Sequence, residues 1–238
     1  EDGAISFVAD YSASKVFTLT DAFDPALDTD TELQIPVNVL YKPISTNIPC
    51  ATIWLYVDGI VWKVMDWRGE MSLSIEAGGI GRFTFNGTGL FVAHDDASNP
   101  TVSFSSQTPP IWKDPTGQGA MLLDRKRVAL ATFGLSNGNT IAYPENPNSV
   151  EGFDGAQITA RAMTGTVDPL EGLAATSNRF AAFRAGTKQI MNVRLGATAG
   201  NRIGITVPAA AYTRYAPGNR NQLAVEGLTF EATGADSG

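Results

Sequence analysis

The sequence predicts a mainly β chain, an antiparallel β-sandwich or barrel with one flanking α-helix and long loops. Three observations carry that reading. Short runs of alternating apolar and polar residues recur along the chain, the period-two pattern of strands with one buried and one wet face. Turn signals separate these runs, with Asp58-Gly59 the strongest and glycine-rich pieces elsewhere. Only one segment, opening at Asp168-Pro169, carries the punctuation of a helix. At 238 residues the chain can bury a proper core. It is read as a single domain over 1–238, with long loops at about 94–120 and 136–156.

The clearest pattern runs from Trp67 to Val92. Met71, Leu73 and Ile75 alternate with Glu70, Ser72, Ser74 and Glu76, so the first set is assigned to the core and the second to a polar face. Ala77-Gly78-Gly79-Ile80-Gly81 breaks the strand, and Phe83 and Phe85 restart the alternation as further core positions. Upstream, Ile5–Val8 and Val16–Leu19 read as short strands. Asp28, Asp30 and Glu32 have the spacing of a calcium-loop opening but lack its glycine and later glutamate, which favours a solvated turn. Pro36, Pro43 and Pro49 make the next stretch irregular. Residues 53–57 and 60–65 then flank Asp58-Gly59, the preferred two-residue hairpin connection, giving four consecutive antiparallel strands with the stretch that follows.

Strands are also expected over 128–135 and 158–167, the latter with a bulge or close approach at Gly165. Asp168 fits an N-cap, Pro169 the first helical position and Glu171 the positive helix end. Phe180 and Phe183 share a face, and Gly186 is a stop signal. Residues 190–195 and 203–207 form a second hairpin, 208–222 a loop carrying Arg214 and Arg220, and 223–230 a closing strand.

Composition narrows the chemistry. A formal charge of −7 disfavours a nucleic-acid binder held by phosphate contacts. Asp124-Arg125-Lys126-Arg127 is the one basic cluster, short and without interleaved aromatics; a solvated strand end or a contact to an acidic neighbouring subunit suits it better. The lone Cys50 excludes an internal disulfide and a cysteine zinc site. His94, Asp95 and Asp96 have ligand chemistry but sit in a turn-like context, so no metal or other cofactor is assigned. With one histidine, no G-x-S-x-G elbow and no phosphate-binding loop, no catalytic residues are assigned and the chain is read as a non-enzyme. No signal peptide or long uncharged apolar run indicates secretion or membrane insertion. Charged residues make up only 17%, which suits an assembly subunit as well as an ordinary monomeric sandwich.

Two blocks carry a family resemblance. The order aromatic-Arg-Gly, Ser-Leu-Ser, Glu-Ala-Gly-Gly, then Phe-Thr-Phe-Asn-Gly-Thr-Gly-Leu-Phe within 67–92 resembles the middle of the major tail tube proteins of long-tailed, siphovirus-like bacteriophages. Residues 183–212, with Gly-Thr, Leu-Gly-Ala-Thr-Ala-Gly-Asn-Arg-Ile-Gly-Ile and Val-Pro-Ala-Ala, resemble the same family. The resemblance implies a β-sandwich or barrel with one flanking helix, six copies to a ring and rings stacked into a tube that conducts the genome. It implies the virion tail as the location, assembled in the host cytoplasm, and tape measure and tail terminator proteins as partners. DNA would pass the lumen without specific binding.

Within that family the polar face of Glu70, Ser72, Ser74 and Glu76 either lines the channel or meets solvent or another subunit, and the loops at 94–120 and 136–156 are candidates for ring-to-ring contact. The start at Glu1, without methionine, suggests a processed or cropped N-terminus lacking the family's upstream segment. Competing expectations are a secretion-system tube protein, which would dock protein cargo, and a virion decoration or adhesion module.

Overall fold

A computed structural model describes residues 8–11, 17–19, 39–103, 109–114, 120–196 and 200–234. Of these, 58% lie in strands and 4% in the one helix, all strand pairing is antiparallel, and the mainly β expectation holds. Two short strands, β1 (Val8–Tyr11) and β2 (Phe17–Leu19), pair with each other. Then come β3 (Ala51–Val57), β4 (Ile60–Glu76), β5 (Arg82–Asp96), β6 (Met121–Leu123), β7 (Lys126–Arg127) and β8 (Leu130–Ser136). β9 (Asn139–Ala142), β10 (Gln157–Arg161) and β11 (Thr164–Pro169) precede α1 (Arg179–Ala185), and β12 (Gln189–Leu195), β13 (Ile203–Arg220) and β14 (Leu223–Ala232) close the chain. Ten of these strands form one sheet in the order β3-β4-β8-β11-β14-β13-β12-β6-β7, with β5 on the free side of β4.

The sheet turns back on itself without closing into a barrel. Leu73 and Ile75 of β4 share a core with Met191, Val193 and Leu195 of β12, although several strands separate them along the sheet. Phe133 and Phe230, both almost fully buried, fill its centre with ring centroids 6.3 Å apart. Gly165 lies where a Cβ would collide with the Gly134 carbonyl and the Phe230 ring, so the close approach expected there is real. Residues 109–112 close the seam. Trp112 exchanges backbone hydrogen bonds with Gly78 and Gly79 (both 2.9 Å), Gly196 donates to Ile111 (3.2 Å), and the Trp112 ring enters the core. Trp112, inside the loop expected over 94–120, is thus a core residue.

Several boundaries differ from expectation for identifiable reasons. The hairpin over 53–65 and the strand over 70–76 are not separate strands. A bulge at Asp66 (φ 50°) lets β4 run unbroken for 17 residues, so three antiparallel strands stand where four were expected. The Asp58-Gly59 turn has the expected positive φ values, 49° and 89°. The loop expected over 94–120 begins only after β5 ends at Asp96, and part of it lies outside the described residues. The 136–156 segment contains β9, which pairs with β10.

Asp168 caps no helix. Its carboxylate accepts from the backbone N–H groups of Ala131 (2.9 Å) and Thr132 (2.7 Å) and pairs with Arg220. The helix starts at Arg179, eleven residues later. Its cap is Asn178, whose Oδ1 accepts from the Ala181 N–H at 2.8 Å. Gly186 ends it in the left-handed region (φ 63°), as expected. Phe180 and Phe183 both reach Tyr215 on β13.

The loop expected over 208–222 is strand. β13 continues to Arg220 and turns through Asn221 and Gln222 into β14. The two prolines of this stretch occupy places that a strand tolerates. Pro208 sits where the β12–β13 register shifts, and Pro217 lies beyond the reach of β12, where β13 has a partner on one side only.

Candidate functional site

Glu70, Ser72, Ser74 and Glu76 share one face of β4, opposite the buried Leu73 and Ile75. Their cross-strand neighbours extend that face in both directions. On β5 they are Asn86, Thr84 and Arg82; on β8 they are Ser136, Gly134 and Thr132. Thr164 and Thr166 of β11 and Thr229 and Glu231 of β14 continue it. Paired residues of an antiparallel ladder project to the same side, so these make one hydroxyl-rich surface.

Short side chains keep the surface low. A shallow groove crosses it between Ser72, Ser136, Thr164, Thr166 and Thr229, and a Cβ on Gly134 would press on Thr166 Oγ1. Glu70 is half-buried and its Oε1 accepts from Ser136 Oγ at 3.0 Å, whereas Ser74 and Glu76 are exposed. Asn137 extends the β4–β8 ladder by one step. Its Oδ1 accepts from the Met71 N–H and its own N–H donates to the Met71 carbonyl, both at 3.0 Å.

Leu73 and Ile75 are in the core as expected, and Met71 is half-buried. Phe83 and Phe85 are not core residues. They lie opposite Leu73 and Met71 on the core side of the sheet, but among the described residues β5 is its outermost strand there and no second layer covers it. Phe83 is 38% and Phe85 62% exposed, and their rings stack at 6.5 Å.

β5 is the unusual element. It spans 15 residues, pairs with β4 on one side, and among the described residues has no strand on the other. The opposite edge of the sheet ends in the three-residue β6 and two-residue β7, a blunted edge of the kind monomeric proteins favour. Next to β5, Trp67 lies flat over Gly69 and Gly87, and a Cβ on either glycine would enter its indole. That packing explains the Trp-Arg-Gly and Gly-Thr-Gly spacing in physical terms.

Beyond the bulge, β3, the first half of β4 and the outer half of β5 leave the main sheet as a three-stranded arm. Arg68 anchors its base by donating to the carbonyls of Ala156 and Ile48, the latter at 2.9 Å. On one arm face the paired rows are Val57-Ile60-Asp96, Leu55-Trp62-His94 and Ile53-Val64-Phe91. His94 stacks on Trp62 (4.2 Å) and Asp95 projects to the other face, so the His94-Asp95-Asp96 run does not converge. Among the described residues no group of three His, Cys, Asp or Glu is placed to hold a metal ion.

Buried charge lies elsewhere. Arg179 at the start of α1 pairs with Glu226 of β14, and Tyr215 Oη donates to Glu226 at 3.3 Å. This network seats the helix on β13 and β14, and burial followed by the charge of Glu226 pushes the Tyr215 phenol above its ordinary range. Among the described residues no helix is long and apolar enough to cross a membrane.

No family model matches this chain, and no curated protein is similar to it in sequence.

Proposed function

We propose that the chain is a structural subunit of a phage tail tube: six copies close a ring, rings stack, and the channel delivers the genome to the host. The observation that carries this reading is a polar sheet face running out to a 15-residue edge strand that has no outer partner among the described residues. A neighbouring copy that pairs with β5 extends the same wall, with the hydroxyl-rich face continuous across the joint. The reading is also supported by the two sequence blocks within 67–92 and 183–212.

In this arrangement Glu70, Ser72, Ser74 and Glu76 face the lumen. Each subunit carries −7, and ring symmetry repeats every acidic group around the channel. DNA in transit then meets short hydroxyls and carboxylates with Arg82 set among them, and few phosphate contacts hold it back. Phe83 and Phe85 at the seam become interface residues covered by the neighbour. The protein resides in the virion tail, around a tape measure protein and beneath a terminator.

Negative-stain microscopy of the purified chain, with its mass in solution measured alongside, tests the reading. Six-membered rings with a central channel, or stacks of them, are expected. Particles without a channel would overturn it.

A further inference from the structure

We infer that the apolar face of the arm is a docking surface for a second copy of this chain, whose basic β6–β7 turn meets the acidic arm tip. The face consists of Ile53, Leu55, Val57, Trp62 and Phe91, each between 39% and 57% exposed. Cross-strand pairing sets them side by side, and Trp62 and Phe91 meet edge-on with centroids 6.2 Å apart. Together they expose on the order of 500 Å², the size at which a surface patch commonly marks an interaction site. A stable interface takes about 800 Å² from each partner, so this face with its rim can supply most of one.

Charge identifies the occupant. Asp58, Asp95 and Asp96, all exposed, gather at the arm tip, because Asp95 and Asp96 pair with Val61 and Ile60 beside the Asp58-Gly59 turn. Arg125, Lys126 and Arg127, also exposed, form the turn and strand at the opposite end of the sheet order. That turn is tight because Asp124 and Arg125 adopt positive φ (48° and 63°), and beside it Lys126 Nζ donates to the Thr176 carbonyl at 3.0 Å. An acidic patch on the arm and a basic patch on the β6–β7 turn are unlike surfaces of one chain, and their complementarity suits a heterologous contact between copies, which propagates into rings or stacks.

The inference rests on the tube reading for its setting and adds a direction to it. Pairing at the β5 edge lies in the plane of the sheet, whereas the arm face looks out of that plane. The edge and the face are separate surfaces, and the proposal assigns the arm face to a copy in an adjacent ring, in place of the loops at 94–120 and 136–156.

The test uses the full chain, with mass photometry across a dilution series and microscopy of the same samples. Leu55→Glu, at a position 57% exposed in the monomer, leaves the melting temperature unchanged and abolishes stacking while rings persist. Two charge variants, D95K/D96K and R125E/K126E/R127E, each weaken association by on the order of tenfold, and mixing them restores it. If Leu55→Glu stacks like the wild type, or the mixed charge variants stay apart, the arm inference is overturned and the tube reading stands. Wild-type oligomers without a channel that Leu55→Glu dissolves would support the arm and overturn the tube. A wild type that stays monomeric at every concentration overturns both.

Discussion

The rolled part of the sheet and the arm are built from the same alternating residues, yet they put them to opposite uses. In the roll, Leu73, Ile75, Phe133, Val167, Met191 and Phe230 are all but sealed from water. In the arm, Ile53, Leu55, Val57 and Trp62 have the same pairing geometry and lie open. Alternation says which residues share a face; it does not say whether anything covers that face. In the roll the cover is the sheet itself turning back, and on the arm it is proposed to be another copy.

The contrast is broken most severely in the centre of the roll. Phe230→Ala should cost about 3–5 kcal/mol, because a fully buried ring leaves a cavity against Phe133 and Gly165. Leu55→Ala on the arm should stay within about 0.5 kcal/mol for the dissociated chain. Denaturant unfolding of dilute protein measures both, and equal losses would mean that the arm face is already covered within the monomer.

Truncation of a buried charge comes next. Arg179→Ala strands Glu226 beneath the helix and should cost about 3 kcal/mol or more. Replacing both partners by apolar residues of similar volume should recover most of that loss, as read by the same unfolding curves.

The smallest effect sharpens the contrast by pH. Burial, opposed by Arg179 and helped by Glu226, holds the Tyr212 phenol well above its ordinary value of 10.0. A folded pKa above the unfolded one gives stability that is intact below pH 10.0 and drains away as the pH climbs toward the folded value. Tyr212→Phe should change neutral stability by about 1 kcal/mol at most, since the hydroxyl is buried without a hydrogen bond among the described residues. It should also flatten the alkaline fall in melting temperature.

Much of this fold was legible because strand periodicity and turn chemistry are local. The Asp58-Gly59 turn, the alternation of 70–76 and the Gly186 stop are each decided by a few adjacent residues. The misreadings share a cause. Asp168-Pro169 looks like a helix start, but the Asp168 carboxylate is engaged by Arg220 and by N–H groups of β8, far along the chain. Phe83 and Phe85 look like core, but burial depends on a second layer, and among the described residues none reaches β5. Trp112 sits among prolines and glycines, and only the closing of the seam makes it core. Of the candidate site, the polar face of β4 was readable; its continuation over β8, β11 and β14 was not, because register between distant strands is not written in either strand alone.

The bare edge of β5 is the centre of the account, and amide hydrogen exchange on assembled against dissociated protein examines it most directly. Alternate amides between Arg82 and Asp96 should gain strong protection on assembly, as their outward N–H groups find carbonyls on a neighbour, while the amides of β8 and β11 change little. Equal exchange across β5 in both states would contradict the proposal that neighbouring copies extend this sheet.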